Sequence, residues 1–141
     1  MTRDEIVEFS ARRLESFNRH DAVVLAALHA EDGVVESPFA GGETVGRDAI
    51  EQLYRAIFAA FGTVRLDQEM LLIDGQKTAL LAHFHGTHSG EMMGVPPTDR
   101  PFSIPLVSLC DLRDGLIVRE QRVYDFTGML LQVGALKAKP I

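Results

Sequence analysis

"LRDGLIVREQRVYDFTGMLLQVG", residues 112–134, changes its rhythm twice. "RDG" at 113–115 reads as a tight turn, and the residues after it alternate with the period of two that belongs to a strand. That alternation places Val118, Glu120, Arg122 and Tyr124 on one face. From Phe126 the apolar residues crowd together, and Asp125 is a fitting N-cap for a short helix, "FTGMLLQVG".

Upstream, "FSIPLVSLCDL" supplies the strand before the turn, and the Gly- and Pro-rich "SGEMMGVPPTDRP" separates it from another strand, about Lys77 to His88. "DG" at 74 and 75 joins that strand to one running from Val64, where Val64 and Leu66 alternate with charged residues before Met70 to Ile73 become apolar on both faces. The first half of the chain is helical. Thr2 and Glu5 have the spacing of a capping box, and Ile6, Phe9 or Ser10, Leu14 and Phe17 follow as one stripe to about Asn18. Asp21 can cap a shorter helix ended by "EDG" at 31–33. Ile50, Leu53, Tyr54, Ile57, Phe58 and Phe61 give the clearest helical period, with Gly62 placed to end it. Between the helices, "VVES" reads as a brief strand stopped by Pro38, and "FAGGETVG", 39–46, as a loop. The order predicts an α+β fold in which helices pack on one face of a curved, mainly antiparallel sheet.

Composition narrows the function. The chain has 141 residues, 46% of them hydrophobic, which suits one domain spanning 1–141 with a real core. A net charge of −6 without a basic cluster argues against a nucleic-acid partner. The single Cys110 excludes an internal disulfide and reads as a small buried hydrophobe. The charged N-terminus lacks a signal-peptide core, and no apolar run has the roughly 20 residues that cross a bilayer, so the expectation is a cytoplasmic protein without a membrane partner.

The order of elements, with "GTHSGEMMGVPPTDR" (86–100) and "LRDGLIVREQRVYDFTGMLLQVG", resembles the SnoaL-like branch of the nuclear transport factor 2-like superfamily. The loop follows the family pattern G-x-H-x-G-E-x-x-G-x-P-P-T-G-R, except that Asp99 replaces the usual glycine, which implies a different turn there. The resemblance covers nearly the whole chain. It implies a cone-shaped α+β barrel, an apolar pocket between helices and concave sheet, and dimerisation through the outer sheet face. It leaves the activity open among isomerases, cyclases, epoxide hydrolases and binding proteins.

Similarity to ketosteroid isomerase places Ser37 of "NRHDAVVLAALHAEDGVVESP" at the isomerase's aspartate base, Arg13 at its oxyanion tyrosine and Ser108 at its second aspartic acid. A serine without a base beside it takes no proton at neutral pH, so Ser37 reads as a turn initiator or a hydrogen-bonding part of the pocket wall. The Asp-Arg-Asp set of limonene epoxide hydrolase falls near Ala82, Phe84 and Arg122, and is likewise unfilled. The aspartate acid/base of the SnoaL-like cyclases, in the final strand, maps either to Arg122 or to Asp125.

Arg122 is then the most informative residue. An unpaired charge in an apolar cavity costs several kcal/mol, so it needs a partner, and Glu120 is the nearest. Such an arginine can bind a carboxylate, stabilise an enolate, or form a structural ion pair. His88 is a candidate acid/base or a loop-fixing hydrogen-bond partner, and Asp125 a candidate acid/base or a helix cap. His88, Arg122 and Asp125 are therefore the catalytic candidates. Ser37, Phe39, Tyr54, Phe58, Met92, Ser108, Glu120 and Tyr124 are the candidates for contact with a hydrophobic small molecule, and Met70 and Met93 are expected in core or pocket. His83 and His85 raise the question of a metal, but the parity that turns Leu80, Ala82 and Phe84 inward turns both outward, so no metal and no cofactor is expected. An outward row containing Leu81, His83 and His85 predicts a homodimer.

Overall fold

The computed structural model describes residues 1–139. Its elements run α1 (Arg3–Asn18), α2 (Ala22–Ala27), β1 (His29–Ser37), β2 (Gly42–Val45), α3 (Arg47–Ala60), β3 (Arg65–Asp74), β4 (Lys77–Thr87), β5 (Pro101–Arg113), β6 (Leu116–Tyr124) and α4 (Phe126–Val133). One curved, unclosed sheet orders the strands β2-β1-β6-β5-β4-β3. All neighbours are antiparallel except β1 and β6.

Local signals set most boundaries. Thr2 and Glu5 form the reciprocal capping box of α1, Asp21 caps α2 through the Val24 N–H, and Asp125 caps α4 through the Gly128 N–H. Gly134 ends α4 in the left-handed conformation. Helix α3 ends where Gly62 suggests: Phe61 is its C-cap, buried in the core, and Gly62 follows directly. Strand β1 is longer than "VVES", and part of the expected 39–46 loop is a strand. The Gly41 N–H donates to the Pro38 carbonyl, closing a turn that lets Gly42–Val45 pair with Val34–Ser37 as an edge hairpin. Nothing in four residues of "GETV" announces pairing, because the partner strand supplies the order.

Buried side chains of β4, β5, β6 and β1 all point to one face, which α1, α2 and α3 cover. The main core gathers Leu25, Val35, Ile50, Tyr54, Ile57, Phe61, Phe84, Phe102 and Met129, and a smaller cluster joins Ile6 and Phe9 of α1 to Cys110, Leu112 and Ile117. Two bulges correct the simple alternation. Val118 is the extra residue between the pairs Asp111–Arg119 and Leu112–Ile117, so Ile117 takes the inward place expected for Val118. The pairing of β3 with β4 slips between Gln68 and Met70, which turns Met70 and Leu72 outward, at 49% and 59% exposure, instead of into the core. Met93, on the loop after β4, is also exposed. Asp99 adopts φ 57, the left-handed region glycine reaches freely. No helix among the described residues is long and apolar enough to cross a membrane.

Candidate functional site

A pocket opens between α1, α2, α3 and the covered sheet face. Leu14, Phe17, Leu25, Ile57, Leu66, Leu80, Phe84 and Leu106 make it apolar, and Ser10, Arg13, Tyr54, Ser108, Glu120, Arg122 and Tyr124 give it one polar wall. Strand parity beyond the Val118 bulge delivers Glu120 and Arg122 to this wall, at 1% and 8% exposure.

Glu120 organises the wall. Arg122 Nη2 donates to its Oε1 at 3.0 Å, while Arg13 Nη2 and the Ser108 hydroxyl, at 2.7 Å, donate to Oε2. Burial works to neutralise the carboxyl, but Arg122 and Arg13 outweigh it and hold Glu120 well below the usual carboxylate range. Burial equally opposes the charge of Arg122, and Glu120 reverses that, keeping the guanidinium charged. Arg122 also lies over the Tyr54 ring, 4.8 Å from its centroid. Burial raises the phenol of Tyr54, and pushes that of Tyr124 up to about 12 against the nearby Arg122, so both present neutral hydroxyls. With two guanidinium groups and one carboxylate, the wall carries one positive charge in excess. Such a wall is built to receive developing negative charge in a desolvated place.

A family model for the SnoaL-like polyketide cyclases matches residues 9–133. The chain belongs to that family. The SnoaL-like chain is 34% identical over 94 residues to nogalonic acid methyl ester cyclase of Streptomyces nogalater, a match spanning 66% of this chain and 70% of the relative. Among solved structures, IdmH of Streptomyces antibioticus, described as a polyketide cyclase candidate, aligns at 30% identity with a TM-score of 0.76, over 91% of this chain and 97% of its own. AclR of Streptomyces galilaeus aligns at 25% identity with a TM-score of 0.83, over 99% and 87%.

The SnoaL-like pocket brings together four of the expected contact residues, Tyr54, Ser108, Glu120 and Tyr124, with Arg122 from the catalytic candidates. The others lie elsewhere. His88 is fully buried outside the pocket lining, where its Nδ1 accepts from the Thr98 N–H at 3.3 Å and the ring packs on Phe61. Asp125 lies past the end of β6 and accepts from the Gly128 N–H at 2.8 Å. The Ser37 hydroxyl accepts from the Ala40 N–H, starting the β1–β2 turn, and shares with Arg122 a second, shallower hollow. Phe39 packs edge-on to Phe126, Phe58 stacks on His20, and Met92, on the loop after β4, is buried in the main core. On the outer face of the sheet, His83 bonds Ser103 and His85 bonds Asp67, and no group of three or more metal-ligating side chains gathers among the described residues.

Two site residues escaped the sequence reading of the pocket. Arg13 was placed only by analogy, although it interrupts the apolar stripe of α1 four residues after Phe9 and four before Phe17. His29 had no signal beyond its type. Its ring is wholly buried behind Glu120, with Nε2 3.6 Å from Oε1.

Proposed function

We propose that this protein is a cofactor-independent enzyme that isomerises or cyclises a hydrophobic carbonyl compound through an enolate. The observation that carries the reading is the excess positive charge of the Arg13–Glu120–Arg122 wall inside an otherwise apolar pocket. A substrate carbonyl set against Arg122 and the Tyr54 hydroxyl would lose an α-proton at less cost, because negative charge appearing on its oxygen meets fixed donors. Attack of that enolate on a second carbonyl of the same molecule closes a ring, and the proton returns to the new alkoxide. Family membership and the kinship with nogalonic acid methyl ester cyclase support cyclisation over plain isomerisation. Glu120 is the one carboxylate of the wall and the proton acceptor in this reading.

The experiment is incubation of the protein with nogalonic acid methyl ester, followed by chromatography for a product of unchanged mass. Turnover lost in Arg122→Leu supports the reading, and wild-type protein that leaves the ester unchanged counts against it. A second reading, a non-catalytic binding module, is favoured by one observation: the ion pairs that keep Glu120 charged also make it a weak base. Tight binding of the ester without conversion selects it. In either reading the partner is a hydrophobic small molecule, and the protein works as a homodimer joined through the outer sheet face near His83 and His85.

A further inference from the structure

The weakness of Glu120 as a base directs attention to what stands behind it. His29 sits at the start of β1, and its Nδ1 lies 2.9 Å from the Leu25 carbonyl oxygen. A carbonyl only accepts, so Nδ1 carries the hydrogen and the neutral ring has its lone pair on Nε2. That lone pair is buried and has no hydrogen-bond partner among the described residues. It faces Glu120 Oε1 across 3.6 Å, an acceptor opposite an acceptor. A buried polar atom left so is costly unless something fills the gap. A proton delivered there would fill it, since N–H⁺ to carboxylate bonds close to about 2.7–2.9 Å.

Resting on the cyclase reading, we propose that His29 is the positioning residue that takes and returns the proton Glu120 removes from the substrate. The step balances without a co-reactant. The C–H electron pair stays on the substrate as the enolate while the proton moves to Glu120 Oε1, then to His29 Nε2. Glu120 is again a carboxylate between its arginines, and His29 is an imidazolium. After ring closure the alkoxide recovers the proton by the reverse path, leaving His29 neutral. The other ionisable groups around the ring are few: Tyr54 of α3, its ring centroid 6.1 Å away, Arg47, whose guanidinium holds the His29 carbonyl, and, beyond Glu120, Arg13 and Arg122. The two arginines keep the carboxylate from retaining the proton, which is what drives it onward.

Two measurements test this separately from turnover itself. In ligand-free, ¹⁵N-histidine-labelled protein, identified against His29→Gln, the His29 ring is expected as the Nδ1–H tautomer. Glu120→Gln, whose side-chain amide can donate to that lone pair, is expected to shift the Nε2 signal. A ring in the opposite tautomer, or an Nε2 signal unchanged by Glu120→Gln, overturns the proposal. For the relay, His29→Gln keeps a donor beside Glu120 but cannot accept a proton. On nogalonic acid methyl ester, kcat is expected to fall about 100-fold or more with KM and melting temperature little changed, the lower end of general acid–base contributions. Retention of wild-type kcat overturns the relay, whereas a wild-type protein inert toward the ester counts against the cyclase reading and leaves the NMR result to decide the proton-sharing pair.

Discussion

Arg13 on the first helix and Arg122 on the last strand hold opposite oxygens of one carboxylate, that of Glu120. Their roles in stability are therefore unequal to that of the residue between them. Glu120→Gln leaves the buried Arg122 and the half-buried Arg13 without their counter-charge, and is expected to cost about 3–5 kcal/mol. Arg122→Leu leaves Glu120 with Arg13 and Ser108, and should cost about 1–3 kcal/mol. Combining them removes one of the stranded charges, so the double variant should be more stable than the sum by roughly 0.5–3 kcal/mol. Denaturant melts of the three variants check this, and strict additivity would separate Arg122 from Glu120.

The pH profile of stability follows from the same contacts. The pKa of Glu120 is lower in the folded protein than in the unfolded chain, so its contribution is present above the ordinary carboxylate value, about 4.3. It is lost as pH falls through the depressed folded value. Tyr124 has the opposite sense. With its phenol raised to about 12, stability present below the unfolded value is lost as pH rises from about 10 to that point. Melting temperatures from pH 2 to 12 should fall at both ends, with the acid limb flattened in Glu120→Gln and the alkaline limb in Tyr124→Phe.

What was legible in the sequence was local. Thr2–Glu5 and Asp125–Gly128 are contacts between near neighbours, and the Glu120–Arg122 pair follows from two positions on one strand face. Arg13 meets Ser108 and Glu120 across sequence separations of 95 and 107, and no periodicity encodes such a meeting. His29 reaches Glu120 because β1 lies parallel to β6, with His29 opposite Ile117 across an irregular register. The bulge at Val118 was invisible for the same reason: an extra residue in a strand is defined only against its partner.

Asp125 offers a direct separation of capping from chemistry. Its carboxylate accepts from the Gly128 N–H, and a Cβ on Gly128 would lie 2.1 Å from Oδ2. Asp125→Ala and Gly128→Ala should each destabilise by about 1 kcal/mol through the same lost cap. Asp125→Ser, which preserves a capping oxygen, should restore stability and retain turnover of nogalonic acid methyl ester. Restored stability with turnover abolished would instead assign Asp125 to proton transfer.

The outer sheet face carries an apolar row in strict cross-strand register. Val123 lies opposite Val107, Val107 opposite Leu81, and Leu81 opposite Met70, so four strands contribute one continuous band. Val123 and Met70 are half exposed, at 50% and 49%, and nothing among the described residues covers them. Exposed apolar bands of this kind are stabilised by association, and a second copy presents the same band around a two-fold axis. Along β4, His83 and His85 follow Leu81 on the same face and would border the contact. The expected outcome is a dimer by light scattering at micromolar concentration. Val107→Glu, placing a charge in the middle of the band, should give a monomer whose circular dichroism is unchanged, because the inner face that builds the core is untouched. Wild-type protein that stays monomeric at high micromolar concentration would defeat the assignment, as would a Val107→Glu variant that remains dimeric.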